Sequence, residues 1–247
     1  MNCIDENKES EKVVLLIHSM SFTAEAFRNL IVSNMSGDYR FIVPELASHG
    51  KSSEAFESAE KEAKKIYQYL LDNKIKKIDL AFGASLGGIV LLRLLDNKNI
   101  IINKCVFEGC SLFKNAYLLE FFLKTFFIRN HRKAVKNKNY AIKKMSKIYG
   151  DKLVKVMTDC FIGVNEESIV NIVHACTFVE LPKLTKEEQE KCIFCYGFKD
   201  INLKNARKII KKYMPYATLK VWDKYMHCNK IRKDNLEYCQ FLESQIL

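Results

Sequence analysis

The residues best placed to do chemistry lie in "KIDLAFGASLGGIVLLRLL", Lys77 to Leu95, where an apolar run breaks into Gly-Ala-Ser-Leu-Gly-Gly and then resumes with helical character. The chain has only 9 glycines, and three of them, Gly83, Gly87 and Gly88, surround Ser85. A serine held between glycines at a strand-to-helix junction sits in a strained turn that lifts its hydroxyl above the sheet edge. Side chains at the flanking glycine positions would clash there. The helix that follows brings unpaired backbone N–H groups and the positive end of its dipole to the hydroxyl, a setting suited to an oxyanion. Ser85 is therefore the candidate nucleophile, the other reading being a tight structural turn.

A neutral serine is a weak nucleophile, so a base and an orienting acid are needed. Three histidines follow it, His131, His174 and His227. The first two fall in a helical stretch where packing or surface roles are expected. His227 instead stands in "KYMHCNK", a loop between the last predicted strand and the terminal helix. The acid expected at the end of the preceding strand is Asp200, in "CIFCYGFKD"; Glu108, ending the fourth predicted strand, is the alternative. His18 and His49 precede the serine and read as loop-stabilising residues. Cys192 and Cys195 spell C-x-x-C inside a predicted strand, where side chains alternate between faces, so neither redox nor zinc chemistry is expected. Cys228 reads as a packed residue. With no GxGxxG or Walker pattern, the expectation is no metal and no cofactor.

The elements that must position these groups alternate. Buried strands are expected at "KVVLLIH" (Lys12 to His18), "YRFIVPE" (Tyr39 to Glu45), "KIDLAF", "INKCVFEG" (Ile102 to Gly109), "KCIFCYG" (Lys191 to Gly197) and "ATLKVWD" (Ala217 to Asp223), six in all. Helices are expected at Thr23 to Met35, from a Ser52 or Ser53 cap through Leu71, at Leu86 to Asp96, at Asn202 to Tyr213 and at Asn229 to Leu247. Between Ser111 and Glu190 the pattern gives four helices and no strand. The predicted fold class is α/β: a mainly parallel central sheet with helices on both faces and a helical cap inserted after the fourth strand. The expected division is a core of 1–110 and 191–247 with a cap of 111–190.

Composition bounds the rest. A chain of 247 residues with 48% hydrophobic residues can bury one substantial core. Nine cysteines in irregular spacing and a polar, acidic N-terminus without a secretory leader point to a reducing compartment, with a cytoplasmic location as the expectation. "YLLEFFLKTFFI" contains Glu120 and Lys124 and is too short for a membrane span. The net charge of +11 is concentrated: Lys124 to Lys155 holds eleven Lys or Arg and one acid, Asp151. That segment reads either as a solvated face or as an attractor of an anionic substrate, an acidic protein or a membrane surface. No nucleic-acid module is present, so no nucleic-acid partner is expected.

Taken together, "LLIHSM", "PELASHGKS", "GASLGG", "YGFKD" and "MHC" resemble the α/β-hydrolase fold superfamily, of the lidded serine esterase or thioesterase kind, over nearly the whole chain. The order Ser85, Asp200, His227 is the serine, acid, histidine order of that scaffold. The resemblance implies Ser85 as nucleophile, His227 as general base and then acid, and Asp200 as the group that fixes the imidazole tautomer. It also implies an oxyanion hole from the backbone N–H groups of Leu86 and Met20, with Ser19 standing where such proteins usually carry glycine. The implied reaction is cleavage of a small-molecule acyl ester or thioester through an acyl-enzyme. Phe121, Phe122 and Phe126 are expected to wall the acyl chain, and the basic segment to steer an anionic head group. The same scaffold also hosts carbon–carbon bond hydrolysis, lyase chemistry and non-catalytic binding.

Overall fold

The computed structural model describes residues 1–149 and 151–246, and side-chain surroundings outside 147–152. The side chains of Lys147, Asp151 and Lys152 in the basic segment, and Leu247 of the predicted terminal helix, lie outside the described residues.

Among the described residues seven strands form one sheet: β1 (Cys3–Glu6), β2 (Val13–Ile17), β3 (Arg40–Pro44), β4 (Lys77–Ala84), β5 (Ile101–Glu108), β6 (Cys192–Gly197) and β7 (Thr218–Trp222). Their order is β1-β3-β2-β4-β5-β6-β7, parallel throughout except for β1, which runs antiparallel to β3. Six of these match the predicted strands, and β1 is the correction. "CIDE" is short, polar and only half-buried, so it carries no core signal. It is held instead by pairing Ile4 with Val43 and by the Asp5 carboxylate, which takes a two-pronged ion pair from Arg40 at 2.9 and 2.8 Å.

The helices are α1 (Ala24–Ile31), α2 (Ala59–Asp72), α3 (Leu86–Leu94), α4 (Tyr117–Lys136), α5 (Lys138–Tyr149), α6 (Asp151–Gly163), α7 (Glu166–Thr177), α8 (Lys186–Glu190), α9 (Leu203–Tyr213), α10 (Lys230–Lys233) and α11 (Asn235–Glu243). Strand alternation divides the core into two layers. On one face Leu15, Ile42, Ala81, Phe107 and Phe194 pack with Ile66 and Leu70 of α2, Ile89 of α3 and Ala206 of α9. On the other, Val14, Leu16, Phe82, Val106 and Cys195 pack with Phe27 and Ile31 of α1 and Tyr238 and Leu242 of α11. Cys192 belongs to the first layer and Cys195 to the second, so their thiols point away from each other.

The helices differ from the sequence expectation at several points, the first being that α1 ends at Ile31 and a 3-10 turn, Val32–Asn34, follows it in place of helix to Met35. The cap of α2 is Ser58, whose hydroxyl accepts from Lys61 N–H, rather than Ser52 or Ser53. The intervening loop is drawn to α7: Phe56 is fully buried, donating its N–H to Ser168 Oγ at 2.8 Å and accepting from Asn171 at 3.0 Å. The terminal helix breaks at Asp234 into α10 and α11. Among the described residues five helices lie between β5 and β6, the short α8 closing on its own capping box, Thr185 with Glu188.

The sheet topology places the chemistry. After β3 the chain crosses β2 to β4 on its far side, so the order reverses between β2 and β4, and a crevice opens at the carboxyl ends of these strands. The loop after β2 carries His18 to Met20, and β4 ends on the Ser85 turn.

Candidate functional site

Ser85 lies between β4 and α3 with φ +50° and ψ −109°, a conformation that costs a non-glycine residue about 1–3 kcal/mol and persists only where the surroundings enforce it. Here they do. A side chain at Gly83 would lie 2.5 Å from Gly87 O, and one at Gly87 would lie 2.1 Å from Ile17 O and 2.7 Å from His18 O. The first turn of α3 is thus pressed, backbone to backbone, against the end of β2. The Ser85 N–H is anchored to Glu108 O at 2.8 Å, which ties the turn to β5.

Three strand ends converge on this turn. His227 Nε2 lies 3.1 Å from Ser85 Oγ, and His227 Nδ1 lies 3.0 Å from Asp200 Oδ2. Asp200 is enclosed, with no exposed side-chain surface, whereas 40% of the His227 side chain remains open to solvent. The second carboxylate oxygen of Asp200 accepts from Asn202 N–H at 2.9 Å. A carboxylate locked in this way holds Nδ1 protonated and leaves Nε2 free to accept from the serine. Burial opposes charge on the imidazole, but the neighbouring Cys228 sulfur and the Asp200 carboxylate more than offset it, and the pKa of His227 lies well above the ordinary 6.5.

Glu108 makes a different connection. Its side chain is fully buried, and Oε2 accepts from Tyr238 OH at 2.9 Å and Trp222 Nε1 at 3.2 Å. Burial lifts its pKa to about 7 despite these two donors. The carboxyl that meets the imidazole is Asp200, and Glu108 braces the β5 end of the site against α11.

Two further residues define the imidazole's seat, and the sequence reading did not single them out. Gly109 has φ +63°, and a side chain there would lie 2.8 Å from His227 Cε1, 2.9 Å from Nδ1 and 2.8 Å from Cys228 Sγ, so the ring rests on bare backbone. Asn202 donates from Nδ2 to Gly109 O at 3.2 Å, linking the start of α9 to that seat. The signal available for Gly109 was its place at the end of a strand in a chain poor in glycine. For Asn202 there was none beyond its nearness to Asp200.

The loop after β2 is tied down by hydrogen bonds. His18 is fully buried; Nδ1 donates to Ser19 O at 3.0 Å and Nε2 accepts from Leu46 N–H at 3.1 Å. Ser19 O also closes a turn with Phe22 N–H at 3.2 Å, which leaves Met20 at the crest, while Leu86 is the first residue of α3. His49 packs edge-on against His18 with ring centroids 5.2 Å apart, and burial together with the His18 ring pushes its pKa down to about 3, so it is a neutral structural residue. His131 is buried against Phe161 and His174 pairs with Glu120 at 2.7 Å, both in the helical segment. Phe198, Ile201 and Met226 line the loops that carry Asp200 and His227 and are largely exposed. Phe121, Phe122 and Phe126 lie exposed on α4 in edge-on contacts, Phe121 with Phe122 and Phe126 with Phe127. Among the described residues no group of three His, Cys, Asp or Glu side chains could hold a metal ion.

No family model and no curated protein matches the sequence. Solved structures do. An esterase from a marine microorganism superposes with a TM-score of 0.76 at 14% identity, covering 100% of this chain and 98% of that one. A bromoperoxidase from Bacillus anthracis gives 0.73 at 17% identity over 98% and 94%. An enol-lactonase from Burkholderia xenovorans gives 0.72 at 13% identity over 99% and 94%. The chain has the α/β-hydrolase fold, with the Ser85 turn at its topological switch.

Proposed function

We propose that this protein is a serine hydrolase that cleaves a carboxylic ester or thioester of a small molecule. The observation that carries the reading is the unbroken line of contacts from Ser85 Oγ to His227 Nε2 and from His227 Nδ1 to Asp200 Oδ2. The esterase and the enol-lactonase of like fold lend it support.

In this reading Ser85 Oγ attacks the carbonyl carbon as His227 Nε2 takes its proton. The tetrahedral oxyanion is met by the N–H groups of Leu86 and Met20, a reading supported by the close contact of Gly87 with the end of β2, just ahead of Met20. The imidazolium then gives its proton to the departing alcohol or thiol, leaving an acyl-serine. Water enters, loses a proton to His227 and releases the acid by the same steps. The chemistry needs no cofactor. Residues 111–190 act as a cap over the core, and its cations draw in substrates with an anionic head group.

Hydrolysis of a panel of p-nitrophenyl esters and acyl thioesters of increasing chain length tests the function. Turnover of at least one member, abolished in Ser85→Ala, is the expected result; no turnover across the panel, or turnover that survives in Ser85→Ala, contradicts it.

The pH dependence follows from His227. Only the neutral ring is a base, and its raised pKa keeps it protonated to higher pH. The kcat/KM therefore rises with pH through a midpoint above 6.5. In Asp200→Asn the rate falls and the midpoint moves down, because the carboxylate that favours the charged ring is gone. A wild-type midpoint at or below 6.5, or one unmoved by the substitution, would count against this assignment.

A further inference from the structure

Half the circumference of α4 faces solvent, and its composition changes along its length. Tyr117, Leu118, Phe121, Phe122 and Phe126 project from the first three turns with exposures of 69, 78, 65, 65 and 56%. Isolated exposed apolar side chains are ordinary, but five large ones contiguous on one helix face mark a surface that is covered in use. Helical spacing brings Arg129, Lys133 and Lys136 onto the same arc, one to three turns further on, and all three are exposed. Lys144 of the adjoining α5 reaches the same part of α4, its Nζ donating to Asn130 Oδ1 at 2.9 Å. His131 and Ala134, on the opposite side of α4, are buried.

We infer that this face docks on a lipid bilayer containing anionic lipids. The aromatic turns enter the boundary between head groups and acyl chains, and the Lys and Arg turns lie over the phosphates with their aliphatic stems along the apolar layer. Each cation held near such a surface strengthens partition about fivefold. A bilayer meets both halves of the helix at once. A second copy of this chain could cover the aromatic turns, but a two-fold pairing through them sends the two cationic ends to opposite sides and leaves both without a partner. An acidic protein would satisfy the cations but would also need a hollow for five large side chains. Among the described residues no helix is long and apolar enough to cross a membrane, so α4 lies in the plane of the interface.

Co-sedimentation of the full chain with vesicles of phosphatidylcholine, with and without phosphatidylglycerol, tests the inference. The expected result is capture by the phosphatidylglycerol vesicles only, lost as salt is raised and unchanged in Ser85→Ala, so that it stands apart from the hydrolase reading. Phe121→Ser with Phe122→Ser weakens capture at least about tenfold, and so does Lys133→Glu with Lys136→Glu, while circular dichroism shows both variants folded. Failure to bind, equal binding to phosphatidylcholine alone, or capture unaffected by either double substitution overturns it. So does a dimer in lipid-free sedimentation velocity that disappears with Phe121→Ser and Phe122→Ser, which would assign the face to a second copy.

Discussion

His227→Ala is expected to lower kcat/KM for any hydrolysed ester by at least about 10³-fold, with most of the loss in kcat. Among the described residues the imidazole is the group placed to take the Ser85 proton, at 3.1 Å, and in the proposed mechanism it returns that proton to the leaving group. Its loss strands Ser85 as a neutral alcohol and Asp200 as an enclosed carboxylate without its partner. In the proposed mechanism the two residues act as a unit, so Ser85→Ala combined with His227→Ala costs little more than either alone. The measurement is steady-state kinetics on the two single variants and the double. Wild-type-like turnover in His227→Ala, or losses that multiply in the double, would mean that the two side chains touch without working together.

The second large effect is expected at a residue with no functional group. Gly109→Ala sets a methyl group 2.8 Å from His227 Cε1, well inside contact distance, and the ring must move. A displacement of about 1 Å at a proton-transfer group costs on the order of 10²-fold in rate. The left-handed backbone at φ +63° adds about 1–2 kcal/mol of strain in alanine. Kinetics and urea unfolding on one preparation separate the two consequences: kcat falls about a hundredfold while KM changes little, and stability drops by no more than the strain. Full activity in a folded Gly109→Ala protein would show that the imidazole does not depend on this seat.

What could be read from the sequence was whatever the chain states locally. Continuous runs such as "VVLLI" and "CIFCYG" announce buried parallel strands because both of their faces are covered, and six such runs with helices between them define the fold class. Ser85 stands out because glycines are scarce elsewhere and backbone contact demands them here. Asp200 and His227 can be located because each follows a strand end on the same sheet edge. The remainder depends on contacts between distant segments. β1 exists because Arg40 and β3 hold it, α2 starts late because α7 draws in Phe56, and Gly109 matters because a loop 118 residues later lays an imidazole on it. Local pattern also leaves the direction of α4 open. Its phenylalanines, read as an acyl-chain wall, have helical spacing that suits either a buried or an open face, and only the packing of the neighbouring helices shows that they face outward.

The central claim is that Ser85 Oγ is the nucleophile. Treatment with a fluorophosphonate, followed by peptide mass mapping, tests it most directly. The expected result is a single phosphonylated residue, Ser85, with labelling abolished in Ser85→Ala and strongly slowed in His227→Ala. A folded protein that takes no label, or one labelled equally in Ser85→Ala, would contradict the account.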